Sequence, residues 1–414
     1  MLRKLSIGLI IRLAGMFLTF LSGMFIARIL GAEDFGLYGV VVSIAAILAI
    51  PSQSGFGNLI IKEVSRAAEN KDYIYALNIR SWAKKRSFII SMLIAGSSIA
   101  YFLVSSRYHD NLLVYILTSL SVIFLGQNVV YYSYLKGIGR TEIAQVLEAL
   151  IYPLAFFIGC IVIWFLDLFN LDGSMIIRCL SLLLVTFIGY FIVKYSSVTS
   201  DLAKKSREVE TKQLNKLLIP FAFSDGLRVA QSHFFLLIVA VFLTSSDAGQ
   251  FKVAQSLILF VQLPATVLIT LLSPEISRLY QYDLISLKRK ITRSTRFYSF
   301  ITFIAFLCAY FFSLDLITLA FGSQYNIASD VLNIICFFIF VSSFFGFGDV
   351  ILNMIGKGDL VLKLALATFI ITIFVSILIT QEYGIIGAAY SFGITLLIQR
   401  ISYFFYARRY IFQS

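Results

Sequence analysis

Three charged residues stand where charge is expensive. Arg12 lies inside the apolar run 5–29, and Asp225 and Arg228 lie inside the run 217–243. A charge at the centre of a spanning helix costs about 2.5–3.5 kcal/mol on insertion scales. Side chains kept at such positions need a wet surface, a partner or a ligand. Arginine presents five N–H donors in a planar fork and grips phosphate oxygens two at a time. The chemistry these positions could do is anion binding. Spacing adds to the case. Arg12, Gly15, Thr19 and Ser22 recur at three and four residues, which puts them on one helix face. Asp225, Arg228 and Ser232 do the same. The competing reading is an ion pair, Asp225 with Arg228 or with Arg12, that only fixes packing.

Softer polar stripes accompany them. Gln145, Glu148 and Tyr152 share a face, as do Lys252, Gln255 and Gln262, and Gln127, Asn128, Tyr131, Tyr132 and Tyr134 cluster in one run. Amides and tyrosines suit sugar hydroxyls and serve equally well as interhelical hydrogen bonds. The expected substrate-binding set is therefore Arg12, Glu148, Asp225, Arg228 and Lys252. Arg178, Lys252, Lys363 and Arg400 lie near run ends, where long cationic side chains snorkel to headgroups. Glu148 and Asp349 lie where loop cations can pair with them.

The elements that position these residues are membrane spans. The chain of 414 residues is 59% hydrophobic and 14% charged, against about 45–50% and 25% for a soluble domain. It divides into twelve apolar runs, from 5–29 to 385–407, near the length of about 20 residues that crosses a bilayer as a helix. The net charge of +12 follows the runs. Lys62–Arg86, Lys194–Lys216 and Arg278–Arg296 fall on one side, while the loops on the other side hold only Arg28 and Arg107. Cytoplasmic loops carry the excess of Lys and Arg, so both termini are expected inside. The basic balance is a topology signal and excludes nucleic acid as a partner.

An all-α fold follows, with six-helix lobes at 1–193 and 217–414 joined by a cytoplasmic connector at 194–216. That connector holds Lys204-Lys205-Ser-Arg207-Glu208-Val-Glu210 and reads as a short amphipathic or loose segment. The halves echo one another. Glu33-Asp34-Phe35-Gly36-Leu-Tyr38 is matched 213 residues later by Ser246-Asp247-Ala248-Gly249-Gln-Phe251. Lys62-Glu63-Val-Ser65-Arg66 is matched by Pro274-Glu275-Ile-Ser277-Arg278. Six spans per half make the repeat parallel, a design that places a cavity between lobes and alternates access by rocking. Pro51, Pro220 and Pro264 are expected to break their spans, with Pro220 and Gly226 bending the helix that carries Asp225 and Arg228.

The four cysteines sit in apolar runs and read as packing residues; His109 and His233 are far apart. No metal or other cofactor is expected. There is no Walker loop, no nucleophile–base pair and no large extramembrane domain. An enzyme is not expected.

Ala27-Arg28-Ile-Leu-Gly31-Ala-Glu33-Asp34-Phe35-Gly36-Leu-Tyr38 resembles the first outer turn of Wzx-type polysaccharide flippases. Phe321-Gly322-Ser-Gln-Tyr325-Asn-Ile-Ala328 is similar to their outer turn after span nine, and Gly384-Ile-Ile-Gly387-Ala388-Ala389 to the start of their last span. These flippases belong to the multidrug/oligosaccharidyl-lipid/polysaccharide exporter superfamily. The resemblance implies two pseudo-symmetric lobes around a central cationic cavity. It implies export of an undecaprenyl-pyrophosphate-linked oligosaccharide, as in O-antigen flippases of Gram-negative inner membranes, with Arg12 and Arg228 as the lumen cations. It also implies membrane lipids, a polysaccharide polymerase and a chain-length regulator as partners. Two alternatives stand beside it. A drug/cation antiporter of the same superfamily would need unpaired lumen carboxylates, and only Asp225 is deep enough. A membrane polymerase or ligase would need a large outer loop, and every outer loop is short.

Overall fold

A computed structural model of the protein describes residues 2–196 and 211–411. The connector sequence Lys204–Glu210 lies outside the described residues. Among those residues there are helices, turns and no strands. Lipid explains this: each helix satisfies its own backbone N–H and C=O groups where no water can.

Nine described helices are long and apolar enough to cross a membrane, or ten if the bent pair α12 (Ile327–Ser343) and α13 (Gly348–Met354) counts as one span. Two of the nine are interrupted by a non-helical glycine. α1 (Leu2–Leu48) runs through a non-helical residue at Gly31, φ 80° and ψ 176°. α14 (Gly358–Ile411) does so at Gly384, φ 60° and ψ −142°. Its 54 residues at about 1.5 Å each would measure more than twice the hydrocarbon core of about 30 Å. Each is a pair of crossings joined by a tight turn, which restores the twelve spans expected from hydropathy. This is an all-α polytopic membrane fold.

The chain packs as two compact units, Met1–Leu30 with Val40–His233, and Gly31–Gly39 with Phe234–Ser414. The lobes expected at 1–193 and 217–414 follow the sequence repeat. The packed units differ from them in where α9 (Thr211–Phe242) up to His233 and the Gly31–Gly39 turn belong.

In the first unit, α3 (Phe56–Glu69), α4 (Tyr73–Val104), α5 (Leu112–Gly137) and α8 (Leu171–Ser196) gather around Phe56, Leu59, Ile60, Tyr131 and Leu135, and α2 (Ile50–Gln53) lies against α4 and α5. α6 (Thr141–Val146) passes through a π turn at Leu147–Ile151 into α7 (Tyr152–Phe165). Pro51 stands in the first turn of α2, after α1 has ended, as its ring and missing N–H require. Pro220 lies inside α9, which continues as one helix through it and through Gly226.

In the second unit, α10 (Ser245–Tyr282), α11 (Leu284–Ala320), α13 and α14 pack around Leu272, Ile276, Tyr298, Phe347 and Tyr403. α10 starts on a capping box between Thr244 and Asp247. The repeated turns meet inside this unit. A Cβ at Gly36 would come 1.8 Å from the Ser245 carbonyl oxygen, and one at Gly249 would come 2.1 Å from that of Ala32. Only glycine permits two helix starts to approach this closely.

Candidate functional site

The expected site residues divide between the units. Arg12, Glu148, Asp225 and Arg228 belong to the first, and Lys252 to the second.

Asp225 and Arg228 form the best-defined cluster. Between α2 and α3 the chain breaks: Ser54 is extended, ψ 136°, and Gly55 has φ 80°. A positive φ suits glycine. The space demands it too, because a Cβ at Gly55 would come 2.4 Å from the Ala222 nitrogen of α9. Such close approach sets the α9 backbone against the break, and it delivers Asp225. One Asp225 oxygen accepts from the Gly55 N–H at 3.2 Å and from the Asn58 amide at 2.9 Å. The other accepts from an Arg228 guanidinium nitrogen at 3.2 Å. The carboxylate also sits at the positive end of α3, where anions are favoured. Arg228 spends only that one contact among the described residues. Its side chain is 80% exposed, against 18% for Asp225. It stands near the middle of α9, so its remaining donors are accessible at mid-span.

Arg12 is also exposed and pairs with no carboxylate among the described residues. The face expected for Arg12, Gly15, Thr19 and Ser22 is split. Gly15 and Ser22 are buried, while Arg12 and Thr19 are exposed. Gly15 presses on the π turn, where a Cβ would come 1.7 Å from the Ala149 carbonyl oxygen. At about 100° per residue, Arg12 lies about 60° around the helix from Gly15. That rotation is enough to carry it off the packed stripe.

Glu148 is bound to Lys136, as expected of a carboxylate near loop cations. The stripe Gln145, Glu148 and Tyr152 does not survive as one face. Gln145 meets Gly8, Glu148 meets Lys136, and the Tyr152 hydroxyl accepts from Arg178 at 2.8 Å. The π turn causes this by inserting a residue into the helical register between them. Arg178 is buried on that bond rather than snorkelling. Gln127 donates to the Lys84 carbonyl and Asn128 to that of Leu182, each at 3.3 Å, so these amides tie helices together. Lys252 is half-buried, with its alkyl stem beside Gly39.

Sequence reasoning missed Gly55 and Asn58. Their signal was available: Gly55-Phe-Gly57-Asn58 is a glycine-rich, polar interruption of an apolar run. It also missed that Arg400, read as a snorkelling cation, donates to Asp349 at 3.1 Å and to the Gly346 carbonyl at 3.2 Å.

A family model described as "Polysaccharide biosynthesis protein" matches residues 25–330. The chain belongs to that family. One curated relative is the "Probable low-salt glycan biosynthesis flippase Agl15" of Haloferax volcanii, 21% identical, aligned over 99% of this chain and 84% of its own length. Among solved structures, an inward-facing multidrug resistance MATE transporter of the MOP superfamily superposes with a TM-score of 0.79 at 14% identity, covering 98% of each chain. The lipid II flippase MurJ, inward closed, superposes at 0.70 and 15% identity, over 96% of this chain and 87% of its own. A MOP superfamily transporter from Pyrococcus furiosus Vc1, described as having a binding pocket of reverse polarity, does so at 0.69 and 15%, over 99% and 94%. This member of the polysaccharide biosynthesis family thus has the fold of MATE and MurJ transporters, as the resemblance of its turns implied.

Proposed function

We propose that the protein is a flippase that carries an undecaprenyl-pyrophosphate-linked oligosaccharide from the cytoplasmic to the outer leaflet by alternating access. O-antigen or a related surface polysaccharide repeat is the cargo this reading favours. The observation that carries it is Arg228, which stands at mid-span, 80% exposed, with one of its contacts used. A guanidinium there is costly against hydrocarbon and favourable against a pyrophosphate, which it grips through paired charge-assisted hydrogen bonds. Arg12, exposed in the first span, adds a second cation of the same kind. Lys252 and Glu148 are secondary members of the proposed set, Glu148 with its charge already offset by Lys136.

The family match and the flippase named in Haloferax volcanii support the cargo class. The antiporter alternative asks for a carboxylate free to exchange protons or cations. Asp225 instead serves three donors. In a cell, an interior-negative potential helps an anion outward by about 2.3 kcal/mol per unit charge per 100 mV. This reading places the protein in the bacterial cytoplasmic membrane with both termini inside. A polymerase and a chain-length regulator would act on the exported repeat.

Deletion of the protein tests the reading. A flippase defect traps complete lipid-linked repeat units on the cytoplasmic face. Single repeats accumulating on the outer face would indicate a polymerase, and a change in drug resistance with normal polysaccharide would indicate an antiporter.

A further inference from the structure

The second unit carries a cavity unrelated to the arginines above. It occupies about 630 Å³ between α11, the α12–α13 break and the last part of α14. Its walls are aromatic: Phe300, Phe303, Phe340, Phe344, Phe345 and Phe404. Arg296 and Arg408 stand in the same lining, and no carboxylate does. A second hollow of about 500 Å³ along α11 shares Thr292 and Arg296 with it, and is otherwise lined by Lys288, Arg289 and Arg293.

Spacing along α11 produces this division. Thr292, Thr295, Arg296, Ser299 and Phe303 recur at three and four residues and form one face. That face carries Arg296 and, about two turns later, Phe303. Its middle holds an unsatisfied group. Ser299 is buried, and its hydroxyl has no hydrogen-bond partner. A buried hydroxyl without a partner is costly, which suits one that meets a ligand oxygen. The bend of 49° between α12 and α13 opens the aromatic side. It is held by Arg400, which bonds Asp349 and the Gly346 carbonyl. Phe300 and Phe344 remain largely exposed at its edge.

We infer that this cavity binds one anionic glycerophospholipid, with its phosphodiester among Arg296, Arg408 and the basic residues of α11 and one acyl chain along the phenylalanines. The basic end lies on the side that the distribution of Lys and Arg makes cytoplasmic. Basic hollows between spanning helices on that side suit anionic headgroups. The apolar half excludes a free anion as the natural occupant, and the cationic half favours phosphatidylglycerol over a zwitterionic lipid.

The test is native mass spectrometry of the full chain released from nanodiscs of equal palmitoyl-oleoyl phosphatidylglycerol and phosphatidylcholine. Wild type should retain one phosphatidylglycerol in preference by about tenfold or more, given two arginines at the headgroup. Arg296→Gln with Arg408→Gln should lose the preference, and each single variant should lose part of it. Thr295→Trp, which fills the cavity, should lose both lipids while keeping the wild-type unfolding temperature. Equal retention of the two lipids by wild type would overturn the proposal. So would a preference untouched by the double variant, displacement of the lipid by inorganic phosphate, or displacement by undecaprenyl pyrophosphate at equal concentration.

Discussion

The carboxylate of Asp225 accepts the backbone N–H of Gly55 at 3.2 Å, joining residues 170 positions apart. The bond ties the middle of α9 to the break between α2 and α3, and the same carboxylate holds Arg228. One side chain therefore fixes a discontinuous span and aims the exposed cation beside it.

Replacing Asp225 separates these roles. Asp225→Ala leaves the Gly55 N–H without its acceptor, at about 1–3 kcal/mol. Asp225→Asn keeps an acceptor oxygen and should cost less. The check is the detergent unfolding temperature of both variants, which should fall in the order wild type, Asn, Ala. Equal loss for both would mean that charge, not the hydrogen bond, is what the break requires.

Gly55→Ala should be worse than either. It adds positive-φ strain to a Cβ placed 2.4 Å from the α9 backbone. Strain of this kind costs about 1–3 kcal/mol before the clash is counted. Folded protein recovered after membrane extraction should drop sharply, whereas Gly139→Ala, at φ 83° with open space around it, should cost only the strain.

The crossing of Gly36 and Gly249 yields a paired prediction. Gly36→Ala and Gly249→Ala each push two helix starts apart, since the nearest atoms are backbone and have no rotamer to change. Overpacking of this kind costs about 1–3 kcal/mol, sometimes more. The double variant should lose less than the sum of the singles, because one displacement relieves both. Strict additivity in thermal unfolding would argue against a shared crossing.

The two turns were legible as a repeat in sequence, though their meeting was not, and the spans were legible too. Long apolar runs report on the bilayer directly. The link from Asp225 to Gly55 was not legible, because nothing local marks which distant helix a carboxylate meets. Arg178 was misread for a related reason. Its depth suggested snorkelling, but the hydroxyl that holds it belongs to Tyr152, turned toward it beyond a π turn that periodicity alone does not register.

Asp283 offers a pH-dependent check outside the spans. It caps α11, accepting from the Ser286 N–H at 2.9 Å, and its hydrogen bonds to Ser286 hold its carboxyl below the ordinary 3.8. A depressed folded value means the contribution is present above that ordinary value and is lost as pH falls through the folded one. Amide exchange at Ser286, corrected for intrinsic rate, should therefore speed up only below about pH 4. In Asp283→Asn that acid-dependent change should vanish.

The central claim concerns Arg228 and is tested most directly by rate. Purified protein in liposomes with an interior-negative potential would be given undecaprenyl-pyrophosphate-linked oligosaccharide, and its arrival in the outer leaflet followed by enzymatic trimming of the sugar. Arg228→Ala, with wild-type stability, should slow arrival by about tenfold or more, and Arg228→Lys should restore only part, since a point charge replaces a bidentate grip. Wild-type rates in Arg228→Ala at matched folded protein would contradict the account.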